Sequence, residues 1–157
     1  MRKVMVAMLV LAVAATGVAI ARNGPQARMG AVKTGLYARE DGDDPNAAGS
    51  GDWVGFVVLN TDCEGWLKAN VVVKGLGEGT YDVYLKVDGV GVKVGTIDVG
   101  MYGKGEVKVG KEVGTAEEKG ETIAVQVVVK QGAGGDIVGS ATATEDVPLK
   151  LPCEMEY

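Results

Sequence analysis

The chain is 157 residues long, 46% apolar and 24% charged, with a net charge of −5 and no histidine. That length suits one domain with a sizeable core. The acidic balance argues against nucleic acid and anionic lipid surfaces as partners, since both demand a basic face. The missing imidazole excludes Ser–His and Cys–His pairs and histidine-based metal sites.

At the N-terminus, Arg2 and Lys3 precede an uncharged run from Val4 to Ile20 that closes on Ala19-Ile20-Ala21. A basic start, an apolar stretch and a small-residue end predict a secretory signal helix over 1–21. The competing reading is a retained anchor, for which about 20 apolar residues are the usual span. Under the first reading the membrane matters only for export, and the mature domain is secreted or held at the cell surface. Removing Arg2 and Lys3 makes it still more acidic.

Residues 22–51 read as an N-terminal arm followed by an acidic loop. The arm has one candidate strand around Ala31, Val32, Leu36 and Tyr37. Such an extended segment can add to the open edge of a neighbouring sheet, or pair with its own. The loop clusters oxygen donors in Glu40, Asp41, Asp43, Asp44 and Asn46. Closely spaced hard donors suit Ca²⁺, and a solvated turn is the alternative. No other cofactor is implied.

The regular part, 52–157, opens at Trp53. In WVGFVVLN, Val54, Phe56 and Val58 are expected to share a face, and Asn60-Thr61-Asp62 ends the strand. Next, Leu67, Ala69, Val71 and Val73 alternate with Lys68, Asn70, Val72 and Lys74, the signature of a sheet with one buried face. Tyr81, Val83, Leu85 and Val87 repeat that pattern, and Asp88-Gly89 turns the chain. Along VGVKVGTIDVG the parity slips at Gly95, which predicts a β-bulge or a bend between sheets. EVKVGKEV is a short charged strand and TAEEKGE a turn. ETIAVQVVVKQG is the strongest strand, with Ile123, Val125, Val127 and Val129 facing inward. After the GAGGD loop, IVGSATATE and DVPLKLPCEMEY complete the chain. In the latter, Val147, Leu149 and Leu151 alternate, and Pro148 and Pro152 confine the strand to an edge.

Without a helical stripe in the mature chain, seven or eight short strands joined by glycine turns predict an all-β, antiparallel β-sandwich or Greek-key barrel. Cys63 and Cys153 form an even pair in an exported chain, so a disulfide is expected. It closes a loop of about 90 residues, worth about 4 kcal/mol in the chain-entropy treatment.

The stretch KGLGEGTYDVYLKV resembles the E–F corner of fibronectin type III and related immunoglobulin-like domains. That resemblance implies a sandwich in which Leu76 plugs the core and Tyr81 is the corner tyrosine, its hydroxyl bonded to nearby backbone. Function does not travel with such a fold.

The only serines, Ser50 and Ser140, lie in glycine-flanked loops, and the carboxylates fall mostly on turns and outward strand positions. The expectation is therefore a non-enzymatic structural protein. It would self-associate as a filament or surface-layer subunit by strand addition of the arm, with itself or another cell-surface component as partner. The alternative is an extracellular binding module for carbohydrate or a surface protein. Trp53, Trp66, Tyr84 and Tyr102 would then form a stacking surface, though the same rings also serve for ordinary edge packing.

Overall fold

The computed structural model describes residues 31–131 and 139–153. The expected signal helix, residues 22–30 of the arm, residues 132–138 with the GAGGD loop, and the last four residues lie outside them. Strands β1 (Val32–Ala38), β2 (Trp53–Thr61), β3 (Trp66–Val73), β4 (Gly79–Val87), β5 (Val90–Val99), β6 (Gly105–Glu112), β7 (Thr122–Lys130), β8 (Gly139–Ala141) and β9 (Glu145–Pro148) follow in order, with no helix among the described residues. Every pairing is antiparallel.

All nine strands belong to one sheet, ordered β5-β4-β7-β8-β1-β2-β3-β6, with β9 also pairing β7. The two ends of that order come together. Gly100 donates its N–H to the Lys104 carbonyl at 3.1 Å. A Cβ on Gly105 would stand 2.5 Å from the Asp98 carbonyl oxygen, so the backbones of β5 and β6 approach where glycine permits it. The sheet is thus a nearly closed barrel, so of the two architectures expected it is not clearly the two-layered sandwich. Alternation along each strand is the same in both architectures, so it does not tell them apart.

The core follows the alternation in most strands. Leu67, Val71, Val73, Val83, Leu85, Val125, Val127 and Val129 are fully buried. The expected slip is a bulge: β4 pairs β5 as Val83↔Gly95 and then Tyr84↔Lys93, leaving Val94 extra.

In β2 the expected face is wrong. Val54 is buried in the core, but Phe56 and Val58 point outward, and Gly55, Val57, Leu59 and Thr61 face the core. WVGFVVLN is apolar at both parities, so pairing with β3 decides, setting Val57 against Val71 and Leu59 against Ala69. Lys33 Nζ covers the outward Phe56 ring, 4.3 Å from its centroid. The final strand ends at Pro148; Val147 is buried, but Leu151 is 46% exposed, so the alternation beyond the proline has no sheet beneath it.

The segment read as an arm enters this sheet. β1 pairs β2 along its length and β8 at Tyr37 and Ala38, and Leu36 is fully buried. Tyr81 Oη donates to the Gly77 carbonyl at 2.9 Å, and Leu76, half-buried, packs against the core. Cys63 and Cys153 form a disulfide, tying the β2–β3 hairpin to the chain after β9.

Replacing both Cys63 and Cys153 by Ser should lower the unfolding free energy by about 4 kcal/mol, read from denaturant titration. Tyr81→Phe should cost about 1 kcal/mol by the same measurement, the net value of one hydrogen bond.

Candidate functional site

The barrel interior is filled mainly with aliphatic side chains, and the hollows that remain open lie on the outer faces. One hollow there is built from the β2–β3 hairpin. Asp62 folds that turn: its Oδ1 accepts the N–H groups of Glu64 at 3.0 Å and Trp66 at 2.9 Å. Gly65, at φ +90°, supplies the left-handed residue the turn requires. Asp62 Oδ2 also pairs with Lys68 Nζ at 2.9 Å. The Trp66 N–H, followed by the Lys68 ammonium, holds the Asp62 carboxyl below its usual range, and Asp62 in turn raises Lys68.

Strand register does the rest. Asn60, Lys68 and Gly110 line up across β2, β3 and β6, and Val58, Asn70 and Lys108 form the next row. All six share the outer face because side chains alternate along each strand. Gly110 leaves room beside the Trp66 ring, whose Cε3 would sit 3.7 Å from a Cβ built there. The result is a hollow of about 370 Å³ framed by Val58, Asn60, Trp66, Lys68, Asn70 and Lys108. Trp66 is 43% exposed. Two of its lining residues, Asn60 and Asn70, have side-chain oxygens buried without a hydrogen-bond partner. A buried acceptor left unmatched costs about 1–3 kcal/mol, which a donor from a ligand would recover.

The other aromatics expected at a common surface are dispersed. Trp53 opens β2 with 48% exposure and Tyr102 sits in the β5–β6 turn with 83%. Tyr84 lies on β4 beneath Lys130, away from Trp66. Trp66 is joined instead by two asparagines that sequence reasoning did not select. Asn70 was visible as an outward polar residue, but only the register brings it beside Asn60.

The donors expected to hold calcium are largely occupied within their own loop. Asp43 Oδ2 accepts the N–H groups of Glu40 and Ser50, each at 2.9 Å, and Oδ1 accepts the Ser50 hydroxyl at 2.6 Å. The Ser50 hydroxyl is the main cause of a depressed Asp43 carboxyl. Asp44 Oδ1 caps the Asn46 N–H at 2.8 Å, and Asn46 Oδ1 takes the Lys86 ammonium at 3.1 Å. Glu40 and Asp41 are exposed. Among the described residues, no three acidic, cysteine or histidine groups converge as a metal-binding set. Of the arm residues, Ala31 and Val32 are half-buried and Leu36 lies in the core. The Tyr37 ring covers Gly35, where a Cβ would come within 2.7 Å of it.

No protein-family model matches the chain, and no curated protein matches it in sequence.

A depressed Asp62 carboxyl stabilises the fold above the ordinary carboxylate pKa of about 4, and that contribution is lost as pH falls through the folded value. Asp62→Asn should therefore melt below the natural protein at pH 7, with the gap closing under acid. Thermal melts across that pH range read the difference directly.

Proposed function

We propose that this chain is an exported, non-enzymatic β-barrel domain that works by binding, and that the hollow beside Trp66 takes a saccharide unit of an extracellular polymer or surface glycan. The observation that carries this reading is the pair of unpartnered amide oxygens, Asn60 and Asn70, beside a half-exposed indole. A pyranose offers what that arrangement lacks: hydroxyl donors for the amide oxygens and an apolar C–H face for the ring. Lys68 and Lys108 at the rim add further donors to sugar oxygens. The disulfide fits an oxidising compartment, in keeping with the basic and apolar N-terminal leader. No helix among the described residues is long and apolar enough to cross a membrane.

A glycan array, followed by calorimetry on the best ligand, tests the reading. Trp66→Ala should weaken binding roughly tenfold and Asn70→Ala roughly threefold to tenfold, with circular dichroism unchanged. A protein that binds no glycan, or binds equally well without the indole, would overturn it.

A second reading is a structural subunit that self-associates through β1, and one feature favours it. The ladder between β1 and β8 is short, Tyr37 against Ala141 and Ala38 against Ser140. Beyond it, Thr34 Oγ1 donates to Glu145 Oε1 at 3.0 Å. A strand paired so briefly on one side can take on a strand from a neighbouring copy. Light scattering from micromolar to millimolar concentration decides: growth in mass supports the reading, and a strict monomer rejects it.

A further inference from the structure

A second hollow lies on the outer face of β4 and β7, away from Trp66. Register sets Tyr84 opposite Val128 and Lys86 opposite Gln126. The acidic loop folds over this face. Gln126 Nε2 donates to the Ala47 carbonyl at 3.0 Å, and Thr144 Oγ1 to that of Asn46 at 2.8 Å. Arg39 Nη2 and Lys86 Nζ both donate to the Pro45 carbonyl, at 2.8 and 3.3 Å. Gln126 and Val128 are thereby buried although they point away from the core, with 1% and 6% exposure.

Between loop and strands a space of about 280 Å³ remains, lined chiefly by Arg39, Pro45, Tyr84, Lys86, Val128 and Lys130. This acidic chain therefore brings three cationic side chains to one hollow. Lys130 Nζ stands 4.7 Å from the centroid of the Tyr84 ring. Arg39 Nε is buried and has no hydrogen-bond partner. Burial also pushes the Arg39 guanidinium below its ordinary pKa, with Asp43 and Asp44 acting in the opposite direction.

The nearby carboxylates act on this cluster through space but do not pair with it. Asp43 and Asp44 are turned to N–H and hydroxyl groups of their own loop. Asp82, opposite Lys130 in the ladder, pairs with Lys93 at 3.0 Å. Among the described residues, no ion pair involves Arg39, Lys86 or Lys130. Partly buried positive charge without a carboxylate in contact is costly, and an oxyanion is the group that relieves it.

We infer that this hollow binds a small organic oxyanion, a carboxylate or phosphate carried on a molecule of monosaccharide size. The oxyanion meets the Arg39 guanidinium, with Lys86 and Lys130 flanking it, and the carbon skeleton rests against Tyr84 and Val128. The space is too large for a bare ion and sits at the lower edge of small-molecule pockets, about 300 Å³. This site is independent of the groove beside Trp66.

Isothermal titration of the mature protein, carried in the Trp66→Ala background so that the groove does not contribute, tests it with glucuronate, glucose 6-phosphate and glucose. At least one anion should bind, more weakly as salt rises, and glucose should not. Response to glucuronate alone assigns a carboxylate, response to the phosphate ester alone assigns a phosphate, and response to both assigns a general oxyanion site. Arg39→Lys should weaken binding roughly tenfold and Lys130→Gln roughly threefold to tenfold. Lys119→Gln, in the distant β6–β7 turn, should leave it unchanged. Should Arg39→Lys disturb the loop, Lys130→Gln still reads the site. The inference is overturned if neither anion binds, if glucose binds equally well, or if Lys119→Gln weakens binding as much as Lys130→Gln does.

Discussion

The barrel closes because two backbones approach where side chains are absent. A Cβ on Gly105 would crowd the Asp98 carbonyl, and one on Gly95 would reach within 2.8 Å of Val109 Cγ1. With those glycines the ends of the sheet meet, and the alternating valines and leucines of β3, β4 and β7 share one interior. That interior is packed mainly with aliphatic groups, and its buried threonines, Thr34 and Thr61, are already bonded to Glu145 and to the Pro148 carbonyl. The hollows that remain open lie on the outer faces.

Both outer hollows arise in the same manner: an acidic residue folds a connecting segment by capping its N–H groups, and the folded segment walls a patch of sheet. Asp62 organises the β2–β3 hairpin and places Trp66 beside Gly110. Asp43 organises the loop over β7 and brings Arg39 toward Tyr84. Each aspartate serves the architecture, and the groups left unmatched are neighbours, namely the Asn60 and Asn70 oxygens by one hollow and Arg39 Nε and Gln126 Oε1 by the other. Unmatched buried polar atoms carry a desolvation cost that a water, an ion or a ligand donor would recover. The disulfide lies at the same hairpin, so the covalent staple and the wall of the Trp66 groove hold a single turn in place.

Much of the architecture was legible from the residues. Leu67 to Val73 and Tyr81 to Val87 show clean period-two patterns, and a sheet that buries one face enforces them. The parity slip at Gly95 was legible as a bulge because an extra residue must reverse the side chains that follow. The cysteine pairing followed from there being only two. WVGFVVLN was ambiguous, since an apolar residue on either parity satisfies the pattern, and β1 carried too few apolar positions to reveal both its neighbours. The aromatics were chosen by type, yet a ring's usefulness depends on what lies beside it. Trp53, Tyr84 and Tyr102 went elsewhere.

By itself, the order of residues determined that the described residues are all-β, where their strands turn, which side chains of most strands face inward and which cysteines join. Those properties depend on neighbours one to four positions apart and on cysteine count, which a linear string displays. Only the tertiary structure decided that the sheet curls into a barrel, that Asn60 and Asn70 stand beside Trp66, and that Arg39, Lys86 and Lys130 share a hollow. These depend on strand register and on which edges meet, and both are settled by contacts between segments far apart in the chain.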